Sequence, residues 1–178
     1  MTAIAAEKGT ISVQLVAEAL LERRRQGLDD APLLEQAGIA PALLQRPYAR
    51  VSAQAYARLW RAIAAATDDE FFGMDGRRMK SGSFAYMAHA ALQEANVGRA
   101  LESMLSFLGL IFDGLQPRLE RQGSLAQIVL DEKGGPACRA FACFTLWLML
   151  HGLACWLAGR RIAILGVELR CAAPEYCG

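Results

Sequence analysis

The chain has 178 residues, of which 21% are charged, and its formal net charge is +1. This length predicts one domain, and the near-neutral charge gives no electrostatic case for nucleic acid or an anionic surface as a partner. The five cysteines form an odd set without a CxxC pair, which favours buried apolar thiols in a reducing cytoplasm over a disulfide framework.

The first third of the sequence predicts three short helical pieces. Apolar residues recur at helical spacing over 11–26, and Gly27 follows them. Two shorter pieces over 30–37 and 41–45 are separated by Gly38. This outline is typical of a helix-turn-helix, but the third piece offers few side chains that could contact base edges. We therefore expect three packed helices without a role in DNA binding.

The middle of the sequence predicts three longer helices. Ser52 has the position of an N-cap for a helix that runs through Thr67. A polar connection over 68–79 follows, and its carboxylates are expected to be solvated. The next helices cover 84–95 and 97–112, joined at Asn96, and should pack as an antiparallel or steeply angled pair.

The pattern changes to alternation after Gly114, which predicts strands. The alternating runs 115–121 and 125–131 flank Gln122-Gly123-Ser124 and indicate a β-hairpin. A further alternating run over 162–171 predicts a third strand, with Leu165, Val167, Leu169 and Cys171 on one face.

An apolar stretch lies between the hairpin and the predicted third strand. No formal charge occurs between Arg139 and Arg160, and the run from Phe141 to Ala158 is near the minimum length that spans a bilayer. A helix that is apolar all round is buried either in lipid or in a protein core. Because the rest of the chain has enough charged residues to surround it, we expect a core helix, with a membrane anchor as the alternative.

These elements predict an α+β fold in a single domain over 1–178. Residues 10–114 are expected to be mainly helical, and residues 115–172 should form a small sheet as β-hairpin, buried helix and strand. The chain ends at Gly178, soon after a predicted strand, and we expect it to be a module separated from a longer polypeptide.

The chemistry of catalysis or metal binding is weakly represented. His151 and Cys155 are four residues apart and share a helix face, but zinc requires more ligands than these two. A catalytic Cys/His pair would need an exposed, electropositive setting, which an apolar helix does not provide. We predict no enzyme activity, catalytic residue, metal or cofactor. His151 is instead expected to be hydrogen-bonded in the core or to point into a pocket.

Aromatic and Met side chains are concentrated in the apolar helix and in the helix pair before it. Such a set is typical either of an ordinary core or of an apolar pocket with one or two polar groups. The composition alone leaves both interpretations open.

Three stretches carry a resemblance to a known family through their order and spacing. They are Ala37–Ile39 with Ala49–Val51 and Tyr56–Trp60, Met79–Phe84 through Leu101, and His151–Leu157 with Gly159–Ile162. Over roughly residues 12 to 176 they resemble the N-terminal effector-binding, arabinose-binding-like domain of AraC-type transcription regulators.

The resemblance implies a ligand-sensing half of a transcription regulator, without catalysis. In that family a helix-turn-helix domain that binds DNA follows this domain, so DNA would be a partner only through a domain missing from this chain. Relatives respond to sugars, amino acids, fatty acids or aromatic acids, and many use a cupin-like barrel. The helical first half here does not predict a barrel.

We predict that an effector pocket lies between the apolar helix and the preceding helix pair. Its favoured ligand is an apolar or aromatic carboxylate, because a sugar needs more polar partners than these residues offer. A homodimer would be compatible with this function, and no membrane partner is expected. The alternative is a purely structural dimerisation domain without a ligand. The predicted site residues are Phe84, Met87, Phe107, Phe144 and Trp147 as apolar walls, His151 as the polar group, and Lys80 or Arg78 as the partner of an acidic ligand.

Overall fold

Residues 9–134 and 138–170 are described by the computed structural model of this chain. The chain divides between Phe72 and Gly73 into two compact units, an N-terminal unit and a C-terminal unit. Each unit contains helices and one two-stranded antiparallel sheet. The expectation that residues 1–178 act as a single effector-binding domain stays a prediction.

The N-terminal unit is built from three α-helices and one small sheet. Its elements are β1 (Thr10–Ser12), α1 (Val13–Arg25), α2 (Ala31–Ala37), a 3-10 helix (Pro41–Gln45), β2 (Arg50–Ser52) and α3 (Ala53–Thr67). Strands β1 and β2 pair antiparallel with Ile11 opposite Val51. Ser12 and Ser52 end these strands and cap the helices that follow, because their side chains accept hydrogen bonds from Gln14 N and Ala55 N.

The core of the N-terminal unit is formed by the apolar stripes of its helices. Val16 and Leu20 of α1 and Leu59 and Ile63 of α3 are fully buried, at the helical spacing that the sequence shows. Gly38 ends α2 in a left-handed conformation, with φ of 70°.

Two carboxylate side chains of this unit, Asp30 and Asp69, are buried. Asp69 is 2% exposed, and its Oδ1 accepts a hydrogen bond of 2.9 Å from Phe71 N, so the expectation of a solvated carboxylate is wrong there. Arg24 Nε donates to Asp30 Oδ2 over 2.6 Å. Burial of a polar group costs less free energy when the group is hydrogen-bonded in this way.

The C-terminal unit contains the helix pair, the hairpin and the apolar helix. Its elements are α4 (Ser83–Ala91), α5 (Val97–Ile111), β3 (Leu115–Gln122), β4 (Leu125–Glu132) and α6 (Ala140–Leu157). Helix α5 contacts α4, β3 and α6 and is therefore the central element of this unit. Asn96 caps α5 by accepting a hydrogen bond of 3.0 Å from Arg99 N.

Asp75 connects the segment before α4 to the start of the hairpin. Its Oδ1 accepts hydrogen bonds from the backbone N–H groups of Arg77 and Asp113, at 3.0 and 2.9 Å. Its Oδ2 accepts a third from Gly114 N at 2.9 Å. One carboxylate thus accepts hydrogen bonds from three backbone N–H groups, two of which lie in the connection between α5 and β3.

The predicted third strand is not observed. Residues 162–170 have no strand assignment, and Cys171 lies outside the described residues. Alternation fixes which side chains share a face, but a strand also needs a neighbour whose backbone pairs with it. The apolar residues of this segment are exposed instead, including Leu165 at 82% and Val167 at 54%.

Helix α6 is buried on one face only, which corrects the expectation of burial all round. Phe141, Leu146 and Leu150 are at most 2% exposed, whereas Phe144 and Leu148 on the other side are 40% and 44% exposed. The helix is long and apolar enough to cross a bilayer by length and composition, with 39% of it buried inside the described structure. The α+β class is confirmed, since helices predominate and both sheets are small.

Candidate functional site

The open side of α6 carries a row of three neighbouring rings. Phe144, Trp147 and His151 follow one another at spacings of three and four residues, which places them on one side of a helix. The ring centroids of Phe144 and Trp147 are 5.8 Å apart, with the planes tilted by 35°. The Trp147 and His151 rings are stacked at 5.3 Å and 9°. The row is thus apolar at one end and ends in an imidazole.

The imidazole of His151 holds the backbone that follows α6. His151 Nε2 lies 3.0 Å from the carbonyl oxygen of Ile162, and Ile162 N–H donates to Cys155 Sγ over 3.3 Å. Cys155 Sγ is also 3.5 Å from His151 Nε2. Gly159, at φ of 62°, makes the turn that brings Ile162 back onto the helix. His151 therefore has a structural role at the C-terminal end of α6.

This hydrogen bond also determines what His151 can offer a ligand. A neutral imidazole that donates from Nε2 to the Ile162 carbonyl has its other nitrogen, Nδ1, as an acceptor. Cys155 Sγ lies 4.0 Å from that nitrogen. A ligand that needs a hydrogen-bond donor from His151 would have to replace the Ile162 carbonyl as the acceptor of the Nε2–H group. Alternatively, it would have to bind the ring with both nitrogens protonated.

The remaining predicted apolar residues lie on the helix pair. Met87 of α4 is 2% exposed and belongs to the core, while Phe84 is half-buried. Phe107 of α5 contacts Tyr86 of α4, with ring centroids 5.8 Å apart. The helices α4 and α5 are packed together, as the sequence predicts.

The two predicted cationic residues, Arg78 and Lys80, are exposed on the segment that precedes α4. Met79 between them is fully buried and anchors this segment to the unit. The two cationic side chains therefore face solvent on either side of a buried anchor residue.

Two open depressions on the described surface are lined by other residues. One is formed by the start of α2 and the segment after it (Ala31, Glu35 and Gly38–Pro41), and the other by the tip of the hairpin (Glu120–Gln122, Leu125 and Gln127). None of the eight predicted site residues lines either depression. Among residues 9–134 and 138–170, no cluster of three His, Cys, Asp or Glu side chains could hold a metal ion. Whether the eight residues form one pocket stays a prediction.

One pair of reactive side chains was not recognised from the sequence. Cys138 and Cys143 have their sulfur atoms 3.0 Å apart at the start of α6. Their spacing of five residues would separate them by more than a turn inside a helix. The available signal was the helix boundary, since a residue just before the N-cap and the fourth residue of the helix come into contact.

Comparison with known proteins gives a consistent result over both units. A family model described as "Arabinose-binding domain of AraC transcription regulator, N-term" matches residues 27–177. The "Ornithine utilization regulator" of Pseudomonas aeruginosa is 25% identical over 163 residues, which are 90% of this chain and 48% of that protein. The chain therefore spans about half the length of the curated relative that it matches.

Proposed function

The chain belongs to the N-terminal arabinose-binding domain family of AraC transcription regulators, and from this premise we propose that it senses a small-molecule effector in the cytoplasm. The matched family model and the name of the relative both describe a regulator, which supports a regulatory domain rather than an enzyme. In the proposed function, effector binding shifts the domain between two arrangements and biases a C-terminal helix-turn-helix domain that contacts DNA.

The observation that carries the proposal is the ring row of α6, Phe144–Trp147–His151. It presents an aromatic surface with one polar end on a helix whose other face is packed into the unit. Rigid aromatic side chains with few polar groups are typical of small-molecule sites. Phe84, Met87 and Phe107 of the packed pair α4 and α5 would supply the remaining apolar wall.

The charges among the eight proposed site residues favour an acidic ligand. Arg78 and Lys80 are both exposed and could pair with a carboxylate, and none of the eight residues is acidic. A sugar would leave most of its hydroxyl groups without partners against aromatic rings. A doubly cationic amino acid would lack a counter-charge among these residues, so a fatty or aromatic acid fits the proposed site better than ornithine.

A thermal-shift screen tests this proposal on the whole chain. The panel contains fatty, aromatic and amino acids, including ornithine, and arabinose as the sugar. We expect an apolar or aromatic acid to stabilise the wild type, by about 2.7 kcal/mol at a ligand concentration 100 times Kd. Trp147→Ala should abolish this stabilisation. Trp156→Ala is the matched control, because Trp156 is on the same helix, 62% exposed and outside the ring row.

The cationic residues are tested with two ligands of the same shape, one anionic and one neutral. The acid that binds is compared with its amide in the wild type and in the Arg78→Gln and Lys80→Gln variants. We expect these variants to lose the preference for the acid over the amide. Absence of stabilisation by every class, or equal stabilisation of Trp147→Ala and the wild type, would reject the proposed pocket.

A structural dimerisation domain without a ligand is the second candidate, and a specific observation favours it. The open face of α6 and the segment after it expose Leu148, Trp156 and Leu165, at 44%, 62% and 82%. Apolar surface of this extent is typical of interaction sites. Light scattering that finds a dimer whose stability depends on protein concentration, together with an empty ligand screen, would support this candidate over the effector sensor.

A further inference from the structure

Two thiols meet at the beginning of α6. Cys138 precedes the N-cap residue Arg139, and Cys143 is the fourth residue of the helix. In many helices an apolar pair holds these positions and fixes the angle at which the chain enters the helix. Here both residues are half-buried cysteines with their sulfur atoms 3.0 Å apart. Cys155, the third cysteine of the described residues, lies about three turns further along α6, beside His151.

We propose that Cys138 and Cys143 form an oxidisable dithiol, which hydrogen peroxide converts into a disulfide across the first turn of α6. The site depends on these two residues alone and exists whether or not the chain binds an effector. Cys155 is not part of it, because its sulfur accepts a hydrogen bond from Ile162 N–H at the opposite end of the helix.

The surroundings of Cys143 make it the attacking thiol. The hydrogen bond between the Cys143 and Cys138 sulfurs lowers the pKa of Cys143 below its ordinary value of 9.0, against the opposing effects of burial and of the Glu132 carboxylate. The N-terminus of a helix adds a positive potential that stabilises a thiolate. Cys143 therefore ionises more readily than an ordinary cysteine thiol.

The reaction proceeds in two steps that consume one molecule of hydrogen peroxide. The Cys143 thiolate attacks the peroxide, the O–O bond breaks, and Cys143 becomes a sulfenic acid while hydroxide leaves. The Cys138 sulfur then attacks the sulfenic sulfur, the S–S bond forms, and the oxygen leaves as water. The protons of the two thiols end in two molecules of water, and the two electrons that the thiols lose reduce the peroxide.

The location of the dithiol gives the modification a structural consequence. Cys138 N–H donates to Glu132 Oε1 over 2.7 Å, and Glu132 is the last residue of β4. The sulfurs need to approach by about 1 Å to reach a disulfide bond length of roughly 2.05 Å. The bond would fasten the first turn of α6 to the residue that is tethered to the hairpin. In a reducing cytoplasm such a disulfide would be transient.

Peptide mapping of the whole chain tests the proposal. Trypsin cleaves after Lys133, Arg139 and Arg160, so Cys138 and Cys143 fall in the separate peptides 134–139 and 140–160. After treatment with one equivalent of hydrogen peroxide and alkylation of the remaining thiols, we expect these two peptides to be linked. Dithiothreitol should separate them. Cys171 and Cys177 lie together in the peptide 171–178, so a bond between them gives a different product.

The matched control is Cys155→Ser, because Cys155 shares the peptide 140–160 with Cys143. The link should persist in Cys155→Ser and disappear in Cys138→Ser and in Cys143→Ser. A link that disappears in Cys155→Ser would overturn the proposal. It would equally be overturned if Cys143 stayed fully alkylatable in the peroxide-treated wild type, or became a sulfinic acid without linking.

A dithiol reagent gives a second measurement on the wild type alone, which does not depend on how the variants fold. Phenylarsine oxide binds two neighbouring thiols through its arsenic and releases one water. We expect one equivalent to protect Cys138 and Cys143 from alkylation in the native chain and to leave Cys155 reactive. Protection of Cys155, or of neither Cys138 nor Cys143, would contradict the proposed pairing.

Discussion

Helices α3 and α6 each bury one face, but their exposed faces differ in polarity. Each buries one side, with Leu59 and Ile63 in α3 and Leu146 and Leu150 in α6 fully shielded from solvent. The open side of α3 is polar and includes Arg58 and Arg61, whereas that of α6 carries Phe144, Leu148 and Trp156. A polar exposed face is typical of a helix surface that remains in contact with solvent. An apolar exposed face is typical of a surface that binds a partner or a ligand.

The largest expected effect tests whether the two helices are equally well packed. Leu59→Ala in α3 and Leu146→Ala in α6 should each lower the free energy of unfolding by about 2–5 kcal/mol, since both side chains are completely buried. Leu148→Ala is the matched control in α6. Because Leu148 is 44% exposed, its loss should cost less than about 1 kcal/mol.

Urea denaturation at several protein concentrations measures these three effects. A cost for Leu148→Ala equal to that for Leu146→Ala would show that the open face of α6 is covered in solution. If that cost then grew with protein concentration, the cover would be a second copy of the chain. The contrast between an exposed polar face on α3 and an exposed apolar face on α6 would then hold only for the monomer.

The same contrast explains how far the sequence predicts this fold. The α3 boundaries were predicted correctly from Ser52 and Thr67, because an N-cap and a polar face are local signals. In α6 every position is apolar or small, so no periodicity indicates which side packs, and the sequence favoured burial all round. The α+β class and the hairpin were likewise predicted correctly from local patterns.

Features that depend on distant partners were missed. The pairing of β1 with β2 joins residues forty positions apart, and each strand has only three residues, which is too short for an alternation signal. Residues 162–170 show the reverse error, since they have the alternation of a strand without a neighbour to pair with. The ring row of α6 follows from helical spacing, but the attachment of His151 to Ile162 depends on the turn at Gly159.

A smaller effect concerns how the two helices begin. Ser52 accepts a hydrogen bond of 3.1 Å from Ala55 N at the start of α3, while the N-cap of α6, Arg139, makes no side-chain capping bond. Ser52→Ala should therefore destabilise the chain by about 1 kcal/mol, the usual value of a lost cap. Ser106→Ala, at an exposed position inside α5, is the control and should be neutral or slightly stabilising.

Thermal and urea unfolding of both serine variants distinguish the cap from the general effect of removing a hydroxyl group. Equal changes in Ser52→Ala and Ser106→Ala would mean that the cap contributes nothing measurable. The start of α3 would then resemble the start of α6, where no side-chain capping bond is made. Local capping would in that case not distinguish the two helices.

The smallest expected effect is a gain in stability, and it tests the open face of α6 directly. Gly152 lies within the helix on its exposed side, and a Cβ atom added there would meet no heavy atom within 4 Å. Alanine is more favourable than glycine inside a helix by about 0.8–1.0 kcal/mol, chiefly because glycine loses more backbone entropy on folding. Gly152→Ala should therefore raise the free energy of unfolding by up to about 1 kcal/mol.

Denaturation of Gly152→Ala in dilute and concentrated samples separates an open face from an occupied one. Stabilisation that is the same at all concentrations indicates that nothing approaches the helix at Gly152. Destabilisation that appears only at high concentration indicates that a second copy packs against the glycine, since a methyl group there would hold the two backbones apart. A loss of effector-dependent stabilisation in this variant would instead place the ligand against the same face, beside Leu148 and the ring row.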